Sequence, residues 1–524
     1  MDVFDRLRFP WRGDEPREPF LDRAAHWASG LSYRDVPPPV RRIARTQFVN
    51  CVGAACWTRA HPFGDRVREA LSAGSEDGSV GSIVGSRTAP EEAAVGNATL
   101  SSALRFDGAV LGGPIGHSSV FVPLAYAEAT DSDGRRLLVA QVAANEIAGR
   151  IGAAATGGPF DEELATSVHA VGAAVGRSVV EGDDPETLAN ALGTALSQPP
   201  RPLERAVVGS AAGVWGVGSG IRSGTVAVDS ARSGLDGPRE PVRGPGGFLC
   251  AATPHPSPGY LSGLGERWHT RTLSVKQFPG SFFVAGPIEA ALEARGRFDR
   301  GRTTIGRVEV FVPQATITAA TRAESHAGDS ESLSSRGYDV SHGVATALVE
   351  GERTPAQFGR ERSDGVRRIE DRLTLRHDPE LTLAAARSTG QTSVRLGAGP
   401  LGPIRAARTL GAKLTVRHLP TVFRSGRERT PPSAMERAER RFGARVVVTT
   451  ADGRTVESTV ERPAGFAGGP HEEIGAIARR KLRRGLEAFD VDGATARRRV
   501  EDLSTIDRGD SVSLDGILNA VDGE

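Results

Sequence analysis

Few side chains in this sequence are able to move a proton near neutral pH. Lysine occurs only at Lys276, Lys413 and Lys481, and every other basic residue apart from histidine is arginine. An ammonium is compact and titratable where a guanidinium is not, so Lys276, set in Val275-Lys276-Gln277-Phe278-Pro279, is a candidate acid or base. A surface lysine is the plain alternative. His117 follows the run Gly112-Gly113-Pro114-Ile115-Gly116, a flexible loop able to bring an imidazole against a ligand. It is the best acid/base candidate by type, with an idle loop histidine as the alternative. Asp107 lies ten residues earlier in Leu104-Arg105-Phe106-Asp107-Gly108-Ala109.

Other chemistries are excluded by spacing. Cys51, Cys56 and Cys250 form no CxxC pair, and the remaining histidines lack an HxxxH spacing, so neither a structural zinc, an iron–sulfur cluster nor a disulfide framework is expected. No cofactor is expected. The glycine pairs at Gly112-Gly113 and Gly213 to Gly218 have neither GxGxxG nor GxxxxGK[ST] spacing. With 65 basic and 64 acidic residues interspersed, the chain offers no phosphate-binding footprint, and nucleic acid is not expected as a partner. Apolar runs such as 48–57 and 137–144 fall short of the roughly 20 residues of a membrane span. The start of the chain, with Asp2, Asp5, Arg6 and Arg8, does not read as a secretory signal, so a cytoplasmic location is expected.

The candidates need a scaffold, and 524 residues allow two cores. Residues 1–19 read as a polar extension. From 20 to about 267, Ala, Gly, Val and Leu recur at helical spacing, as at Val40, Ile43, Ala44, Phe48 and Val49. Helices are expected at 20–30, 91–104, 120–129, 135–149, 168–180 and 185–197, the last opened by Asp184 and Pro185. The Gly-rich stretch 209–224 gives only a weak helical signal, and 234–247 reads as a loop. After Trp268 the period changes: Ile305, Val308, Val310 and Val312 suggest a strand, 412–419 another, and 446–460 a hairpin about Asp452-Gly453. Helices fit 287–295 and 341–350, and the charged stretch 352–380 reads as exposed surface. At 471–489, Ile474, Ile477, Ala478, Leu482 and Leu486 return to helical spacing and should pack on the first domain. The expected fold is mostly α with an α+β second domain. A helical bundle is built from both chain ends, 20–267 and 464–524, and a lid is inserted at 268–463.

Several strings in order resemble the MmgE/PrpD family, that of 2-methylcitrate dehydratase in propionate catabolism. They include Asn97-Ala-Thr-Leu-Ser-Ser-Ala-Leu-Arg-Phe-Asp107, Gly116-His117, Ala144-Asn-Glu-Ile-Ala-Gly-Arg150, Gly244-Pro-Gly-Gly-Phe248, Ser274-Val-Lys276-Gln-Phe-Pro279, Tyr338 with Ala345-Thr-Ala-Leu348, and Asp452-Gly-Arg454. The resemblance implies a lyase of small di- or tricarboxylates that needs no metal, a homodimer, and a site in the cleft between bundle and lid. Dehydration of 2-methylcitrate leads, with decarboxylation, epimerisation or isomerisation in the same cleft as alternatives. It implies catalytic roles for Lys276, His117 and Asp107, and substrate contacts from Asn97, Arg105, Arg222 and Tyr338, the last equally readable as a core aromatic. The chain departs from the pattern. Arg105, Gly108 and Ala109 replace two acids and a threonine, a lysine expected near Gly213 is missing, and His169 fits poorly as the second histidine expected near 163–169. A catalytically impaired or non-catalytic member is therefore the competing reading.

Overall fold

Proline and aspartate open the helices where the sequence places them. In the computed structural model, Pro38 and Pro90 sit in the first helical turn, and the Asp184 carboxylate accepts from the backbone of Glu186 and Thr187 at 2.8 and 3.0 Å. The structure describes residues 18–72, 78–85, 87–155, 165–197, 204–244, 246–253, 256–298, 304–326, 332–389, 407–408, 416–417, 435, 438–509 and 512. The strand expected at 412–419 lies outside the described residues except for 416 and 417, as does most of the N-terminal extension.

With short helical turns left unlabelled, the first part runs α1 (Phe20–Gly30), α2 (Pro38–Arg59), α3 (Pro62–Ser72), α4 (Pro90–Ala103), β1 (Gly108–Ala109), α5 (Gly116–Ala129), α6 (Gly134–Ala155), α7 (Ala165–Glu181), α8 (Pro185–Ser197) and α9 (Trp215–Arg232). Helix α9 covers the Gly-rich stretch because Val217, Ile221 and Val228 give it a buried face and its small residues let it lie close against α7. These helices share one core with Ile474, Ile477, Ala478, Leu482 and Leu486 of a C-terminal helix. After β2 (Ser274–Val275) come α10 (Phe282–Arg295), β3 (Ile305–Val312), α11 (Gln314–His326), α12 (Val340–Glu350), β4 (Leu373–His377), α13 (Pro379–Thr389), β5 (Ala444–Thr450), β6 (Thr455–Val460), α14 (His471–Glu487) and α15 (Gly493–Ser504).

Four strands form a sheet in the order β4-β3-β5-β6, parallel between β3 and β4 and antiparallel elsewhere. Val308, Val310 and Val312 alternate inward along β3 and join Val446, Val448, Ile288 and Val344 in a second core. The fold is thus mostly α with an α+β part. The exposed reading of 352–380 is corrected. Phe358, Val366 and Ile369 are buried between its charges, and Leu373 to His377 forms an edge strand of the sheet. No described helix is long and apolar enough to cross a membrane.

Candidate functional site

The smallest sheet does the positioning. β1 and β2 pair antiparallel with Gly108 opposite Val275 and Ala109 opposite Ser274, so the residues just outside the ladder, Asp107 and Lys276, face each other. The Lys276 backbone N–H donates to Asp107 O at 3.2 Å and its ammonium to Asp107 Oδ1 at 2.8 Å and Arg105 O at 3.0 Å. Gly108 is required by this closeness. A Cβ there would lie 2.6 Å from Ser274 O and 3.1 Å from Asn50 Nδ2. The glycine that replaces an acid of the family pattern therefore seats the strand.

Arg105 makes the turn into β1 at a left-handed φ of 50°, an unusual conformation for a side-chain-bearing residue. Its carbonyl serves Lys276, while its guanidinium donates to Val207 O at 2.6 Å and lies 5.0 Å from the Tyr338 ring centroid. Tyr338 itself is buried in an apolar cluster with Phe283, Phe442 and Phe466.

His117 is not in the loop that the glycines suggested. It occupies the first turn of α5, buried, with Nε2 3.3 Å from Asp107 Oδ2 and Nδ1 3.1 Å from Ser101 Oγ at the end of α4. Lys276, Asp107 and His117 are thus brought together. Asn97 and Arg222 are not. Asn97 Oδ1 accepts from Ile83 N at 2.7 Å and Ser82 Oγ at 3.2 Å, tying a neighbouring loop to α4. Arg222 lies exposed on α9, paired with Glu91 and Glu92. Those acids stand in the first turn of α4 and Ser101 in its last, about 15 Å apart at the helical rise.

Three residues outside the expected set join the cluster. His169, which fits the family pattern poorly, lies on α7 with its ring tilted 5.6 Å from the His117 ring and its Nδ1 3.0 Å from Ser118 Oγ. Ser118 directs its own hydroxyl proton to Ile115 O at 3.2 Å. Assigned from that network, His169 Nδ1 carries the proton and Nε2, buried without a partner among the described residues, keeps a bare lone pair. Burial, helped by His117, holds the His169 imidazole far below its ordinary pKa, so it is neutral.

Lys481 arrives from α14, which approaches α2 so closely that a Cβ on Gly53 would sit 2.8 Å from Leu482 Cα. Its ammonium donates to Asn50 Oδ1 at 2.6 Å and to Phe106 O. Burial pushes this amine down to about 7, against the pull of Asp107 and with a further push from Lys276. The third newcomer is Arg440, just before β5, whose Nη2 donates to Val110 O at 3.3 Å.

Around one carboxylate the site therefore collects two ammonium groups, a guanidinium and two imidazoles. Burial alone would raise the Asp107 carboxyl, but Lys276 and His117 outweigh it and hold it well below the usual carboxylate range. The Cys51 thiol beside it is pushed up to about 12 by burial and by Asp107, which leaves it inert as a nucleophile. Among the described residues no group of three His, Cys, Asp or Glu is placed to hold a metal ion. A fixed carboxylate, a donor ammonium and an unprotonated imidazole together can shift a proton on carbon and stabilise the negative charge that results.

A family model described as the MmgE/PrpD N-terminal domain matches residues 22–260, the stretch that carries Asp107, His117 and His169. The match places residues 22–260, a little under half of the chain, with the N-terminal domains of the MmgE/PrpD family. Two similar proteins are cis-aconitate decarboxylases of Aspergillus terreus. One is 25% identical over 329 residues, 58% of this chain and 65% of that protein, and the other 25% identical over 364 residues, 64% and 72%. The first match therefore spans just under two thirds of the relative's length. Within this MmgE/PrpD-like region, the departures at Arg105 and Gly108 are accommodated by the backbone around Asp107, which remains ion-paired.

Proposed function

We propose that the protein is a lyase of the MmgE/PrpD type acting on a small di- or tricarboxylate, with Lys276, Asp107, His117 and His169 at the reacting carbon. The observation that carries this reading is the buried Lys276–Asp107–His117 contact beside a neutral His169 with a bare Nε2. Breaking a C–H or C–CO₂⁻ bond next to a carboxylate leaves an electron pair that the neighbouring group must take up as enediolate-like charge, and a preorganised cation in a dry site stabilises it. In decarboxylation CO₂ departs without the bonding pair, and a proton from Lys276 or His117 ends on carbon, to be replaced from solvent. In dehydration His169 Nε2 accepts the carbon-bound proton while the neighbouring C–O bond breaks and the hydroxyl leaves as water with a proton from Lys276 or His117; in epimerisation a proton from the same donors returns to the opposite face of the carbon.

The relatives are named as cis-aconitate decarboxylases, so cis-aconitate is the first substrate to assay and 2-methylcitrate the second. None of Asp107, Lys276, His117 and His169 is more than 5% exposed, so substrate entry requires the two parts of the chain to separate. The division into 20–267 with 464–524 and 268–463, a homodimer and a cytoplasmic location belong to this proposal. A cleft of about 770 Å³ lined by Trp57, His61, Ser210, Leu333 and Arg336 backs onto the Leu104, Phe106 and Phe358 cluster next to the site and gives the opening a starting point.

Purified protein incubated with cis-aconitate, 2-methylcitrate and citrate tests the proposal through CO₂ release and loss of substrate. Turnover of one of them that Lys276→Met abolishes is expected. The second reading, a member that binds carboxylates without turnover, is favoured by the loss of acids at 105 and 108 and of the threonine at 109. Tight binding with neither turnover nor proton exchange into the ligand is its signature.

A further inference from the structure

Arg440 is the one large cation near Asp107 that the proposed chemistry leaves without a task. It is 8% exposed, yet its single side-chain hydrogen bond among the described residues is the 3.3 Å contact to Val110 O, and it has no ion pair there. Its neighbours differ: Arg441 pairs with Glu439 and Glu461 and Arg445 with Asp378 and Glu457. A guanidinium offers five N–H donors in a rigid fork, and burying it with most of them unused is costly unless something else accepts them. Burial draws it down to about 10, and Asp107 alone pulls the other way.

Its placement says what the missing acceptor is. The guanidinium stacks 4.4 Å from the Phe282 ring centroid, and Lys276 Nζ lies 4.6 Å from the same centroid. The two cationic groups are thus no further apart than those distances combined, a span that a short carbon chain with a carboxylate at each end can bridge. Asp107 is already satisfied by Lys276 and His117 and cannot serve both. The backbone of Arg440 belongs to the segment leading into β5 and is held by Ala467 O at 3.0 Å, whereas Val110 follows β1, so the fork reaches from the sheet-bearing part of the chain to the helical part.

Resting on the function proposed above, we infer that Arg440 forms a carboxylate subsite. Its fork holds a substrate carboxylate remote from the reacting carbon in a bidentate pair, with Phe282 as the wall, and selects for an additional carboxylate.

The test is calorimetric binding of two unreactive probes to the full chain, propane-1,2,3-tricarboxylate and butyrate, which carries a carboxylate at one end only. Wild type is expected to prefer the tricarboxylate. Arg440→Met should weaken it by about ten- to hundredfold, the loss of a charge-assisted hydrogen-bonded pair, and bring it towards butyrate. Arg440→Lys, which keeps the charge and the fold but not the fork, should fall between and serves if the Met variant does not fold. Unchanged affinity and preference in both variants would overturn the subsite while leaving the lyase reading intact. Failure of wild type to bind either probe would overturn both. Lys276→Met separates the two ideas, since it should lose turnover while still preferring the tricarboxylate.

Discussion

Replacing Lys481 by methionine should change the way stability depends on pH, and the size of the change follows from the site. In the folded chain the amine is fully enclosed by Phe106, Asn50, Cys51 and the α2–α14 contact, which pushes it from an ordinary 10.5 to about 7. Below about pH 7 the group is protonated in both folded and unfolded chains, and the folded chain bears the full cost of enclosing the charge. Between about 7 and 10.5 the unfolded chain holds the extra proton, so raising the pH drains the unfolded state and stability rises. At about 1.4 kcal/mol for each pH unit the full span amounts to about 5 kcal/mol. Methionine matches the shape without titrating. The difference in unfolding free energy between wild type and Lys481→Met, from urea unfolding at pH values from about 6 to 9, should move in favour of wild type by about 2–3 kcal/mol. Groups that do not touch Lys481 titrate alike in the two chains and cancel, and its neighbours Asp107 and Cys51 titrate outside this range. Curves that stay parallel across this range would refute the reasoning and show that Lys481 keeps an ordinary pKa.

The remaining expectations concern the other members of the cluster. Asp107→Asn leaves Lys276, Lys481 and Arg440 around no carboxylate and should cost about 3–5 kcal/mol in denaturant unfolding. Because the Asp107 carboxyl is depressed in the folded chain, its contribution is present above about pH 4 and lost as pH falls below that, so the variant should also show a shallower acid limb. His169→Gln should lower kcat about 10²- to 10⁴-fold with little change in melting temperature, since it removes the bare Nε2. Gly108→Ala drives a methyl to 2.6 Å from Ser274 O and should destabilise by about 1–3 kcal/mol, with activity falling as the Asp107–Lys276 register opens.

Residue rarity made Lys276 visible in the sequence, and the change of period after Trp268 revealed the α+β part. The contact between Asp107 and Lys276, 169 positions apart, depends on the two-residue β1–β2 pairing, which is too short to leave a periodic signal. Lys481 carries a signal of its own. It lies three to four residues after Ile477 and Ala478 and beside Leu482 on the apolar face of α14, where a lysine must meet a partner or titrate. His169 was obscured because α7 is buried almost all round, so its burial pattern carries no preferred face. Arg440 had no local cue, since one arginine beside another before a strand reads as a surface pair. The charges of 352–380 hid a strand because alternating exposure on an edge strand resembles a solvated segment.

The most direct test of the central claim is proton exchange in heavy water, with cis-aconitate or 2-methylcitrate as substrate, for wild type and Lys276→Met. Wild type is predicted to release CO₂ or to incorporate deuterium at the carbon next to a carboxylate, and the variant to do neither while remaining folded. A wild-type protein that exchanges nothing and releases nothing, or a Lys276→Met variant that does both at the wild-type rate, would contradict the assignment of Lys276, Asp107, His117 and His169 as the reacting centre.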